Sequence, residues 1–326
     1  MKRIAYLANI QDKTRGLTLV ELLVVLSIVA VLSTVALRSV VGTFEQNNYD
    51  ANISQLEQIE LAVLGGDETA GFLGDIGRLP QAIGDADATN FEQLAELWDQ
   101  SASGLPDYSI TAPSGDSEVR LGTGWRGPYL NLGINRDELT DGFANGFVAY
   151  QSDGTAANDS DTISIIQSLG SSGSAGGSNY EEDFEVVFGA EAAAVGLGLA
   201  GKIGDLSEPL SVTVNSSLGS LPANLVIRVY GADGSGGLIT LEQEFRSGIS
   251  GGSAVFILDG TSSNDGTDDG AGLVHGPKVI RVYETSSASA PTEDTDLAPA
   301  ATSPTKSPIT NVVVDRFTSS ITLTLY

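Results

Sequence analysis

The 326-residue chain has no cysteine and a single histidine, His275. That excludes disulfide staples, thiolate zinc sites and cysteine nucleophiles, and leaves a Ser/His/Asp arrangement one candidate base. The histidine sits beside Gly276-Pro277, in a turn rather than among acids. Basic residues are also scarce: 16 Lys and Arg stand against 42 Asp and Glu, a net charge of −26. Nucleic acid and anionic membrane surfaces select basic patches, so neither is a partner of the acidic portion. Solubility and calcium binding are both consistent with so acidic a surface. Methionine (one) and tryptophan (two) are rare, whereas glycine, at 39 residues, points to a β-rich and loop-rich body. No glycine-rich phosphate loop is present, because no helix with Lys-Ser/Thr follows GADGSGG, and the Gly/Asp runs do not recur at a fixed period. These absences read as a chain that is not an enzyme.

What the chain does have is one long apolar run. Leu17–Leu37 carries a single charge, Glu21, across a length that as a helix spans roughly 30 Å, the thickness of a bilayer's hydrocarbon core. A carboxylate there is costly without a partner, which makes it a functional candidate. Ahead of the run lies a polar, basic stretch with Lys2, Arg3, Lys13 and Arg15 against Asp12, closed by Gly16. A secretory signal has the opposite layout, its apolar region preceding the cut. Basic residues before the span and acids after it predict a cytoplasmic amino terminus and an exported remainder.

Basic leader, Gly16, apolar run and an acid at the fifth place from Leu17 together resemble the signal of type IV pilins and of the pseudopilins of type II secretion systems. The resemblance implies cleavage after Gly16 by a prepilin peptidase and methylation of the new amine on Leu17. It also implies that Glu21 pairs with the amino terminus of a neighbouring subunit during filament assembly. Implied partners are other pilin or pseudopilin subunits, the peptidase and the inner membrane. The chain would be a single-pass inner-membrane protein whose globular part is periplasmic or lies in an extracellular filament. Two features depart from the family pattern: Leu17 replaces the usual Phe, and Arg38 stands where many members have Pro.

Past the membrane, Tyr49, Ile53, Leu56, Ile59 and Val63 recur at helical spacing until Gly65-Gly66, with Asn52 and Glu60 interrupting the stripe. A continuous helix of about 48 residues would reach roughly 70 Å. The expected organisation is a leader over residues 1–16 and an N-terminal helix over 17–66, transmembrane to 37 and amphipathic from 38. A globular head over 67–184 and a C-terminal β-rich domain over 185–326 follow, the latter with a mobile loop at 284–307. The fold class is α+β: a long helix on a small antiparallel head sheet, then an antiparallel β-sandwich-like domain.

In the head, Phe91–Trp98 reads as a short helix, Gly124–Gly133 as a turn opening into a strand, and Asp141–Tyr150 as a turn entering a hairpin. The last two resemble head elements of major pseudopilins. The stretch Ile163–Phe184 resembles that family's calcium loop, which implies ligands at Leu169, Ser172, Asn179 and Asp183. Ser172 and Asn179 stand where the family has acids, and calcium prefers carboxylates among six to eight oxygens, so Glu181, Glu182 or Asp183 would have to compensate. A second acidic turn, Asp153–Asp161, has oxygen density but not an EF-hand pattern.

Ala190–Leu199 reads as a short helix or a linker of small residues. Seven alternating runs then predict strands at Leu210–Val214, Leu225–Tyr230, Leu238–Phe245, Ala254–Leu258, Lys278–Tyr283, Asn311–Phe317 and Ile321–Tyr326, separated by Gly/Asp/Ser turns. Two functions remain open. One is a pseudopilin of a type II secretion-like filament. The other is a minor or tip pilin of a type IV pilus whose β domain binds a surface or glycan.

Overall fold

A computed structural model describes residues 18–66, 69–84, 93–113, 116–132, 139–188, 207–258, 273–287, 297–299, 309–314 and 320–326. The chain divides into two units, Met1–Asn47 and Asn48–Tyr326. Helix α1, Leu19–Leu64, begins in the first and ends in the second. Leu, Val and Ala dominate its first half, and large apolar side chains from Leu19 to Val35 are exposed. An apolar surface of that length is stable only in lipid or against other apolar surfaces. In its second half the stripe narrows, and Leu56, Ile59 and Val63 are fully buried, as the helical spacing predicts. The helix stops at Gly65, whose left-handed φ of 85° no side-chain-bearing residue adopts without strain.

That buried stripe packs in one core with Phe72, Phe147 and Phe184. Phe72 lies on the short helix α2, Gly71–Ile76. Phe184 opens β5, Phe184–Val187, in a three-stranded antiparallel sheet ordered β3-β4-β5 with β3 at Val148–Tyr150 and β4 at Ile165–Ser168. The expected boundary between residues 184 and 185 thus falls inside a strand. The helix expected at Phe91–Trp98 is a single 3-10 turn, Ala95–Leu97, followed by the four-residue α3, Gln100–Ser103. Among the described residues of the expected Gly124–Gly133 element no strand opens after Trp125; instead β2, Leu121–Thr123, precedes it and pairs with β1, Ser109–Thr111. Trp125 and Tyr129 are held by polar tips, the indole N–H donating to Glu96 O (3.0 Å) and the phenol to Asp75 Oδ2 (3.1 Å). These tips fix the segment as a folded loop.

Asn52 is fully buried on α1 because a polar partner waits there. Its Nδ2 donates to Ser168 Oγ (3.0 Å), and that hydroxyl donates to Asp141 Oδ2 (2.6 Å). Asp141 Oδ1 accepts the N–H groups of Phe143 and Asn145 (2.9 and 2.8 Å), which closes the Asp141–Phe147 turn. Burial pushes the Asp141 carboxyl above the ordinary aspartate range. Gly142 lies directly on the backbone of Asn48 and Asn52, leaving no room for a Cβ.

The β-rich remainder holds all seven predicted strands, with shifted ends. A five-stranded sheet runs β9-β8-β12, with both β13 and β14 on the far side of β12. Its strands are β8 Leu225–Ala232, β9 Leu238–Arg246, β12 Gly276–Thr285, β13 Leu297–Pro299 and β14 Ile309–Val314. Within the span expected as a loop at 284–307, Leu297–Pro299 pairs with Tyr283–Thr285. A three-stranded sheet is ordered β10-β7-β15, with β7 Leu210–Ser216, β10 Ser253–Leu258 and β15 Ser320–Leu325. Short strands β6 (Ser207–Glu208) and β11 (Leu273–Val274) form a separate ladder. Val212, Phe256 and Leu323 of the smaller sheet share one core with Ile227 and Ile280 of the larger. Among the described strand pairs all are antiparallel but one: β15 lies parallel to β7. The chain enters β15 from β14 in the other sheet, so no hairpin dictates its direction.

The opposite face of the larger sheet is also covered. Val119 and Leu121 pack on Val226, Tyr230 and Tyr283, and Arg281 pairs with Asp116 and Glu118. A charged residue buried in a central strand is tolerated here because two carboxylates meet it. Lys278 is buried without a bonded carboxylate among the described residues. It is 2 % exposed, its alkyl chain lies over Gly231, and its Nζ reaches only Pro277 O at 3.5 Å. Burial pushes this ammonium down to about 8. Ala190–Leu199 lies outside the described residues.

Two outcomes follow from these contacts. Gly142→Ala should destabilise the folded chain by about 1–3 kcal/mol in urea unfolding, because the new methyl must push the turn off α1. Lys278 binds its proton more weakly folded than unfolded, so stability should rise with pH from about 8 towards the unfolded value near 10.4. Lys278→Met should flatten that rise and add about 3 kcal/mol at pH 7, read from urea midpoints across pH.

Candidate functional site

The amino-terminal end of α1 is built by two side chains. Thr18, just before the first helical residue, and Glu21, three places on, cap each other. Glu21 Oε2 accepts the Thr18 N–H (2.8 Å) and hydroxyl (3.0 Å), and Thr18 Oγ1 accepts the Glu21 N–H (3.3 Å). This is the reciprocal capping box, in which a Thr and a Glu satisfy helix-terminal donors that would otherwise be unpaired. In lipid such donors have no water to turn to, so the box matters more than at a wetted helix end. Both contacts use Oε2, and among the described residues Oε1 takes no hydrogen bond. The carboxylate is therefore half used. Gly16 and Leu17 lie outside the described residues.

Beyond this end, α1 is the one described helix long and apolar enough to cross a membrane. Its apolar window is wholly exposed. Residues 12–37 match the prokaryotic N-terminal methylation motif. The chain thus carries the signature of type IV pilin and pseudopilin signals. The signature marks a pilin-like substrate of prepilin peptidase, and proteins that carry it are structural subunits. With the apolar helix it points to anchoring in the inner membrane. No curated protein and no solved structure matches the chain.

The four residues expected to hold calcium sit around one loop that hydrogen bonds close from within. Leu169 O accepts the Ser172 hydroxyl (3.3 Å), which is also 2.9 Å from Ser174 O. Asn179 takes a left-handed φ of 58°, and its amide lies 3.5 Å from Ser178 Oγ. Asp183 Oδ2 accepts the Gly176 N–H (2.8 Å), while its Oδ1 is buried without a partner. The loop thus offers one carboxylate among the four positions, and that one is already held by a backbone donor. Among the described residues no three acidic or imidazole side chains are grouped to hold an ion. Calcium asks for six to eight oxygens with several carboxylates, and this donor set does not fit it. The Asp153–Asp161 turn is likewise closed by its own bonds, Asp153 Oδ1 accepting from Thr155 and Asp161 Oδ2 from Asn158.

The sequence did not single out Asp141, Ser168 or Asn52 as a unit, though they dock α1 on the body. Asn52 left a signal as a polar residue interrupting an apolar stripe, and Asp141 as the first residue of the expected turn. Millimolar calcium should leave the melting temperature of the purified chain unchanged, and Asp183→Ala should not alter any calcium response.

Proposed function

We propose that the chain is a filament subunit of the pseudopilin type, cleaved after Gly16 and assembled through α1. The observation that carries this reading is the Glu21 carboxylate at the fifth place from Leu17, half used among the described residues and the one charge in the apolar run Leu17–Leu37. Cleavage would leave a free amine on Leu17, with an ordinary pKa of about 8. An amine and a carboxylate facing lipid each gain by pairing, because an isolated charge there is expensive. Glu21 Oε2 completes its own helix's capping box, and Oε1 is left to accept from a neighbour's Leu17 amine. That pairing sets the axial register as stems pack on one another, trading lipid for protein contact. Basic residues before the span hold the amino terminus on the cytoplasmic side and leave the β-rich body outside.

The head motifs near Trp125 and Gly176-Gly177 favour a secretion-type filament with a sandwich-like domain appended. A minor or tip pilin is the second reading, favoured by the strands from Ser207 to Leu325 beyond the head sheet, since a shaft tolerates only modest heads.

Glu21→Ala should leave cleavage intact and reduce incorporation into filaments by about tenfold or more, the loss of one buried ion pair. Glu21→Asp should rescue it in part. Cleaved Glu21→Ala that incorporates at the wild-type level would overturn the role.

A further inference from the structure

The outward face of the three-stranded sheet is unlike the rest of this acidic chain. None of the 19 residues of β7, β10 and β15 is charged, although 18 % of the whole sequence is. Along β7 and β15 burial alternates cleanly: Val212, Val214, Leu323 and Leu325 point into the core. The alternate positions carry Ser211, Thr213 and Asn215 on β7, and Ser320, Thr322 and Thr324 on β15. They stand in register, Ser211 beside Ser320, Thr213 beside Thr322 and Asn215 beside Thr324. On the other flank β10 adds Val255 and Ile257 beside Thr213 and Ser211. Tyr326, 67 % exposed, follows β15 on the same alternation. The result is a grid of hydroxyls and one amide, none of its own side chains charged, with small apolar patches, a ring at its end and, at its β10 edge, Arg246 donating to Val255 O.

We infer that this face binds a neutral polysaccharide. Charge excludes the other large classes: a chain of net −26 repels anionic glycans, nucleic acid and anionic lipid, and a neutral face offers a cation no carboxylate. Size argues against a second copy of the chain. Three strands about 4.8 Å apart and six residues long at about 3.3 Å each cover roughly 300 Å², well short of the roughly 800 Å² per partner of a stable protein interface. A repeating glycan needs no such area. Two paired rows of polar side chains, one strand spacing of about 4.8 Å apart, present several hydroxyls to one extended chain at once. Each Thr or Ser both donates and accepts, as sugar hydroxyls do. Weak single sites gain by avidity when many copies stand along one filament, and that gain rests on the filament reading above. The site itself does not.

The test uses the detergent-solubilised full chain in native gels cast with a neutral β-glucan, a mannan or a galactan, and with polygalacturonate. Retardation is expected in at least one neutral gel and not in polygalacturonate. Thr213→Val with Thr322→Val, which keeps the strands' preference for extended backbone, should weaken it by about tenfold. Thr213→Asp with Thr322→Asp should abolish it, and Ile110→Asp, on the β1–β2 ladder, should not change it. Filament incorporation of the Val pair should equal wild type. No retardation in any neutral gel, equal retardation in polygalacturonate, or retardation unchanged in the Val pair would overturn the inference. Lost incorporation of the Val pair would assign the face to subunit contacts, overturning this inference while leaving the filament reading intact.

Discussion

A single carboxylate in the apolar first half of α1 is the constraint around which this chain is arranged. Glu21 cannot be solvated by lipid, and its own helix employs only one of its two oxygens. Everything nearby is consistent with a partner supplied from outside: the exposed apolar surface from Leu19 to Val35, the capping box that orients the carboxylate, and the motif over residues 12–37. A capping box alone is a local device found in soluble helices. On a membrane-length helix it also holds the acid in one rotamer, so that the remaining oxygen has a fixed direction. Structural subunits need such fixed directions more than they need reactive groups.

The second half of α1 serves a different purpose within the second unit. Leu56, Ile59 and Val63 supply area, which is non-directional, and the Asn52–Ser168–Asp141 chain of hydrogen bonds supplies register. Slipping the helix by one residue would take the Asn52 amide away from the Ser168 hydroxyl and bury it against apolar atoms. The close seat of Gly142 on the helix backbone allows no compromise position. Apolar area and polar register together hold the second half of α1 in place within that unit.

Much of this was legible from the residues. The apolar run, the amphipathic stripe and all seven C-terminal strands follow from period and turn chemistry, which are local. The head was less legible because its elements are short: a three-residue 3-10 turn at Ala95–Leu97 leaves no periodic signal. Nothing local in the sequence marks Arg281 and Lys278 as buried, yet both are, since β12 is central and covered on both faces. Pairing depends on partners distant in sequence, as does the parallel placement of β15. The calcium expectation came from a glycine frame whose acids are missing here. The frame kept its turns, and serine and backbone donors close the loop. Glu21 was legible as a site because charge in an apolar run is conspicuous, whereas its capping geometry needed coordinates.

The most direct test of the account is the mass of the amino-terminal peptide of the exported protein. The account predicts a peptide that begins at Leu17 and carries one added methyl group on its amine. A peptide that begins at Met1, or one that begins beyond Leu37 with the apolar helix removed, would contradict it.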